Sequence, residues 1–247
     1  MKKINIEKIF GPEIKELMGL IKSSGKECYI VGGAVRDFFL GHKNFTDIDL
    51  TTPLSVEILI EILKKNKIEF DDRAIRYNCL TVRTQKKSVQ ITSFRKDIRT
   101  FGRSADIEII DSIEEDAKRR DFTINAFYCS LSGKIVDPLG NLKDLNNKEL
   151  NFIGDPETRI TEDYLRILRF FRFVAVLDLK NKNINSKHLP IIEKYIDRIN
   201  DLSNETVVVE LRKILLSTFP SFALELMHKV NLYERLMGVY SKASLLK

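Results

Sequence analysis

The spacing of the apolar residues changes character once along the chain, and that change limits the architectures open to it. Before Asp155-Pro156, period-two runs alternate with helical runs; after it, only helical spacing remains. In the first part, Ile14, Leu17, Met18 and Ile21 predict an amphipathic helix over 11–24. Cys28-Tyr29-Ile30-Val31 predicts a short strand that stops at Gly32-Gly33, followed by a helix from Ala34 to Leu40 ended by Gly41. Residues 45–50 alternate polar and apolar, a second strand. Thr52-Pro53 reads as a helix start, with Thr52 as N-cap and Ile58, Leu59, Ile62 and Leu63 behind it. Leu80–Thr84 and Ser88–Phe94 read as a hairpin around Gln85-Lys86-Lys87. In the second part, 161–177, 187–199, 205–217 and 220–233 read as helices, with loops at Asn146-Asn147 and Lys180–Ser186. The expected class is α+β: a mixed head over residues 1–150 and an all-helical part over 151–247.

Composition narrows the partners only a little. A net charge of +6 and a pI near 9.1 suit an anionic partner, although many basic proteins bind none. Cys28, Cys79 and Cys129 lie far apart without a Cys-x-x-Cys pair, and His42, His188 and His228 are scattered, which argues against a thiolate zinc site. Widely spaced cysteines fit buried, reduced thiols in a cytoplasmic protein. No window approaches the length of apolar chain that spans a bilayer, so no membrane partner is expected.

Asp47 and Asp49 stand two apart on the second strand, so both side chains leave the same face. Two carboxylates that close repel each other unless a cation lies between them, and Mg²⁺ suits oxygen ligands that it shares with substrate phosphates. The polar outer face of an edge strand would show the same pair. Upstream, Gly32 and Gly33 occupy a strand-to-helix turn where bare backbone can approach a phosphate, and Arg36 follows with a guanidinium for phosphate oxygens. Strand, glycine pair, Arg36-Asp37 and then Asp-x-Asp is far more specific than either piece alone.

Val31-Gly32-Gly33-Ala34-Val35-Arg36-Asp37 with Asp47-Ile48-Asp49 resembles the first motif of the class II tRNA nucleotidyltransferases, a family that includes CCA-adding enzymes and bacterial poly(A) polymerases. Arg119-Arg120-Asp121-Phe122-Thr123-Ile124-Asn125-Ala126 resembles the second motif, the run from Asp137 to Leu145 the third, and Glu162-Asp163-Tyr164-Leu165-Arg166 the nucleotide-selecting fourth. The resemblance spans about residues 25–175. It implies a polymerase-β-like nucleotidyltransferase head and a helical neck. It further implies Mg²⁺ on Asp47 and Asp49, triphosphate contacts from Gly33 and Arg36, nucleotide binding by Arg120, and Asp121 and Asn125 near the ribose. Asp163 and Arg166 would recognise the base edge. The implied reaction is addition of CCA to a tRNA 3′ end from CTP and ATP.

The fourth-motif helix supports this from its residues. Asp163, Arg166, Arg169 and Arg172 recur every three positions, a slowly turning polar ridge between core-facing leucines and phenylalanines. Aspartate accepts and arginine donates, so together they can meet both kinds of group on a base edge, while the outer arginines reach phosphates. An exposed helix with ion pairs would look alike. Phe94 through Arg103 resembles the family's flexible loop linked to the switch from C to A addition.

The chain departs from the family at Gln90, where a third carboxylate is common, at Asn141, usually glycine, and at Thr206, often arginine. It is also shorter than family members that carry body and tail domains; a naturally minimal chain, a truncated one, or one whose tRNA-binding surface a partner chain or oligomer supplies all stay open, and weak salt-sensitive RNA binding is expected. Three readings stay open: CCA addition, a poly(A) polymerase or A-adding enzyme, and an inactive RNA-binding module prompted by Gln90 and the missing C-terminal domains.

Overall fold

The computed structural model describes residues 3–84, 87–101, 104–180 and 183–236, with side chains except over 97–101 and 104–106. The chain forms two compact units. The first comprises Met1–Ile98, Asp106–Arg120 and Ile124–Leu142, and the second Arg99–Ala105, Asp121–Thr123 and Lys143–Lys247.

The first unit is built on a mixed sheet. Its helices are α1 (Ile6–Phe10), α2 (Pro12–Lys22), α3 (Gly33–Phe39), α4 (Val56–Lys65) and α5 (Ile113–Lys118). Its strands are β1 (Tyr29–Val31), β2 (Asp47–Thr52), β3 (Phe70–Asp71), β4 (Cys79–Arg83), β5 (Ser88–Ser93), β8 (Tyr128–Ser130) and β9 (Ile135–Val136), in the order β3-β4-β5-β2-β1-β8-β9. Only the β2–β5 pairing is parallel; the other neighbours are antiparallel. Central β2 buries Ile48 and Leu50 and turns Asp47 and Asp49 outward, the alternation expected of a half-covered strand. Ile14, Leu17, Met18 and Ile21 of α2 and Leu59 and Leu63 of α4 are buried, as their spacing predicted.

Several expected boundaries move for local reasons. The helix expected over 11–24 is preceded by a separate α1, and Gly11 at φ +97° joins the two. Thr52 is not an N-cap: it remains in β2 opposite Ser93 and donates its hydroxyl to Glu27 O, so α4 starts after Ser55. The hairpin strands form as β4 and β5, while Gln85 and Lys86 lie outside the described residues. The stretch read as a flexible loop is strand instead. β6 (Arg95–Phe101) and β7 (Ser104–Ile109) pair as a two-stranded sheet, with Gly102 and Arg103 outside the described residues. Asn146-Asn147 closes α6 (Leu142–Asn147) rather than forming a loop; Asp137 starts that helix by accepting from the backbone N–H of Asn141 and Leu142.

In the second unit, α8 (Leu165–Val176) packs against α7 (Pro156–Glu162), α10 (Asn204–Leu215) and α11 (Pro220–Lys229). Phe122, Phe152, Phe170 and Phe173 form one aromatic cluster, with the His188 ring edge-on to Phe152 and Phe170. The single helix expected over 161–177 is two. Asp155 caps α7 by accepting from Thr158 N with Pro156 behind it, and the chain breaks at Asp163, which is extended at φ −153° and accepts from Leu165 N. Asp163 therefore precedes α8, and the arginine ridge starts at Arg166. The helix expected over 187–199 is α9 (His188–Lys194) followed by a 3-10 helix, Ile196–Asp201.

Candidate active site

The site in the first unit starts at the end of β1. Gly32 sits at φ +70° and ψ −126°, backbone that side-chain-bearing residues avoid. A methyl placed on it would lie 3.7 Å from Arg120 Nη1, 3.9 Å from Asp49 Oδ2 and 3.9 Å from Asn125 O. A carboxylate from β2 and a guanidinium and a carbonyl from one later motif thus meet at one bare turn. Strand register explains it: Asp49 of β2 lies opposite Val31, the residue before Gly32, and Tyr128 of β8 lies opposite Val31 on the other side.

Asp47 and Asp49 are exposed on that face, with Gln90 of β5 beside Asp49 in register. Among the described residues, no group of three or more histidine, cysteine or acidic side chains is arranged to hold a metal. Two carboxylates alone still fit Mg²⁺, which takes one or two protein carboxylates and completes its shell with water and substrate phosphates. Gln90 offers at most a neutral amide oxygen.

Arg36 is 7% exposed. Its Nη1 donates to Asn125 Oδ1 at 2.7 Å and its Nε to Asp37 Oδ1 at 2.8 Å, next to Gly33 at the start of α3. Arg36 and Asn125, placed far apart by sequence, are hydrogen-bonded neighbours here.

Arg120 is held by two residues that the sequence reading passed over. Asp116 of α5 is wholly buried and accepts from Arg120 Nη2 at 3.0 Å, from Arg119 Nε at 2.8 Å and from the Tyr128 hydroxyl at 2.7 Å. Arg120 Nε donates to that same hydroxyl at 2.9 Å. Burial alone would push the Asp116 carboxyl up, but Arg120, Arg119 and the hydroxyl outweigh it and hold it down at about 2. Arg120 moves the other way and is raised: burial would lower it, and Tyr128 and Asp116 outweigh that. The signal available in the sequence was Asp116 at i−3 and i−4 from a pair of arginines.

The second unit carries the remaining residues. Asp121 is 8% exposed; it accepts from Phe122 N at 2.8 Å and from Arg169 Nε at 2.6 Å. Arg166 donates from Nη1 to Arg159 O at 2.6 Å and to Glu162 Oε2 at 2.7 Å, and Glu162 also pairs with Arg159. Arg172 forks onto both oxygens of buried Glu210 and lies over the Phe173 ring. Glu210 on α10 is a third partner that the sequence reading did not identify.

The profile of the poly(A) polymerase head domain matches residues 28–151. A second profile, described as the probable RNA and SrmB-binding site of polymerase A, matches residues 183–241. Human mitochondrial CCA tRNA nucleotidyltransferase 1 is 32% identical over 97% of this chain and 55% of its own length. The Bacillus subtilis CCA-adding enzyme is 31% identical over 96% of this chain and 58% of its own length. Among solved structures, the Bacillus stearothermophilus CCA-adding enzyme in complex with CTP superposes with a TM-score of 0.78 at 29% identity, covering 89% of this chain and 52% of that one. A tRNA nucleotidyltransferase complexed with a primer tRNA and an incoming ATP analogue gives 0.72 at 25% identity, covering 89% and 62%. The chain thus spans about half the length of the curated relatives it matches, and it shares the polymerase-β-like head of its structural neighbours.

Proposed function

We propose that this chain, which belongs to the poly(A) polymerase head-domain family, adds CCA to tRNA 3′ ends from CTP and ATP without a nucleic-acid template and releases pyrophosphate. The observation that carries the reading is the meeting of Asp49, Arg120 and the Asn125 carbonyl at Gly32. Relatives named as CCA-adding enzymes over nearly the whole of this chain support it.

Asp47 and Asp49 would hold Mg²⁺, which when bound supplies charge neutralisation for the triphosphate and acidifies the attacking 3′ hydroxyl. The other roles belong to the chain. The absent side chain at Gly32, with Gly33 after it, leaves bare backbone along which a triphosphate can lie. Arg120 donates to phosphate oxygens, and Arg36 adds positive charge while tying Asn125 to the turn. Asp121 and Asn125 serve the ribose, Asp163 accepts from the base edge and Arg166 donates to it. Arg169 and Arg172, paired with Asp121 and Glu210, extend the nucleotide-binding ridge toward the phosphates. We assign the head to residues 1–150 and the helical neck and body to 151–247. A partner chain or second copy completing the tRNA grip, and a cytoplasmic location, belong to the same reading. The three cysteines are free and buried, and burial pushes the Cys129 thiol up to about 12. No helix among the described residues is long and apolar enough to cross a membrane.

The test is incorporation of labelled CTP and ATP with Mg²⁺ on tRNAs ending before CCA, after C and after CC. Ordered addition that stops at CCA supports the proposal. The family descriptions favour one second reading, a poly(A) polymerase; long A tails would establish it. A single A added only to the CC-ending tRNA would identify an A-adding enzyme. No incorporation would favour an inactive RNA-binding module with Gln90 in place of a carboxylate.

A further inference from the structure

We infer that Asp116 and Tyr128 are positioning residues for the triphosphate: together they aim the Arg120 guanidinium at the Gly32 turn. The inference rests on the reading that Arg120 binds the nucleotide's phosphates.

Arginine is long and has many rotamers, so an unsupported guanidinium beside a glycine turn would sample many directions before a ligand arrived. Here two of its nitrogens are held in place. Nε donates to the Tyr128 hydroxyl at 2.9 Å and Nη2 to Asp116 Oδ2 at 3.0 Å, while Nη1 is the atom nearest the Gly32 methyl position, at 3.7 Å. The hydroxyl donates its own proton to the same Oδ2 at 2.7 Å, which closes a three-membered ring of hydrogen bonds.

The frame under that ring is rigid. Tyr128 lies on β8 opposite Val31, immediately before Gly32, so the sheet sets the hydroxyl against the turn. Its ring is gripped edge-on by Tyr29 and Phe94 at 6.1 and 6.3 Å between centroids. Asp116 is wholly buried, and its other oxygen is taken by Arg119. One carboxylate therefore neutralises two adjacent arginines but faces them with different oxygens, and only Arg120 shares the tyrosine hydroxyl. Tyr128 is what distinguishes the arginine that reaches the turn from the one beside it. A preorganised donor loses less freedom when phosphate arrives, so the expected gain is in triphosphate affinity.

The experiment compares binding of CTP and CMP, with Mg²⁺ present, to the full chain and to Tyr128→Phe, Asp116→Asn and Arg120→Lys. Tyr128→Phe keeps the packed ring and removes only the hydroxyl. Its expected effect is a Kd for CTP raised about fivefold to tenfold, the net size of one ordinary lost hydrogen bond, with the Kd for CMP unchanged. Asp116→Asn should act in the same direction, and Tyr128→Phe added to Arg120→Lys should weaken CTP no further. Equal weakening of CTP and CMP would mean general loosening and overturn the inference, as would a Tyr128→Phe protein that binds CTP normally while Arg120→Lys does not. If Arg120→Lys itself binds CTP normally, the underlying reading of Arg120 fails and the inference fails with it.

Discussion

Arg169 on α8 donates its Nε to the carboxylate of Asp121 at 2.6 Å, joining a residue of the Arg-Arg-Asp motif to a helix that begins 44 residues later. Asp121 is 8% exposed, so this pair stands largely out of water, while Arg169 keeps about a third of its side chain exposed. Arg169→Met should leave a nearly buried carboxylate without its cation and destabilise the second unit by about 2–3 kcal/mol. Adding Asp121→Asn should recover part of that loss. Urea unfolding of both singles and the double tests this; strictly additive losses would mean that the pair is not coupled.

Asp47 and Asp49 face outward from β2, so neither carries the fold. Asp47→Ala or Asp49→Ala should each change stability by less than about 0.5 kcal/mol and lower nucleotide incorporation by at least about a hundredfold. Both are read from thermal melts and single-turnover assays. Turnover retained in both variants would remove the metal assignment.

Asp163 presents a choice that a helical residue could not. It is extended, and its Oδ1 caps Leu165 N at 3.0 Å. Asp163→Asn keeps an oxygen for that cap but replaces an acceptor with a donor. The expected result is a melting temperature close to the parent with CTP and ATP discrimination lost by about tenfold or more. Unchanged discrimination in competition assays would count against base reading by this residue.

His188 gives the protein a pH dependence with a definite sign. Its ring is packed edge-on against Phe152 and Phe170, Nδ1 has no hydrogen-bond partner among the described residues, and burial lowers its pKa from 6.5 to about 4. The unfolded chain therefore binds the proton first as pH falls. Stability from this group is full above pH 6.5, declines between 6.5 and 4, and is lower by about 3 kcal/mol below that window. His188→Leu should flatten this part of the stability–pH curve whatever its absolute stability. A wild-type curve without that decline would contradict the assignment.

Local pattern was enough for the outward pair on β2 and for the turn to helices in the second half of the chain. Alternation across Asp47-Ile48-Asp49-Leu50 follows from the strand's period, and the change after Asp155-Pro156 separates the mixed head from the helical part; both are properties of neighbours in sequence. The sequence could not show that the helix would break at Asp163, because cap chemistry competed with a continuing apolar stripe, nor that Thr52 would stay in β2, because its partner Ser93 comes from another strand. Least legible were the partners of the arginines. Asp116 and Tyr128 beside Arg120, and Glu210 beside Arg172, are chosen by burial: a charge that leaves water needs a counter-charge wherever the fold brings one, and that distance is set by tertiary packing rather than by spacing along the chain.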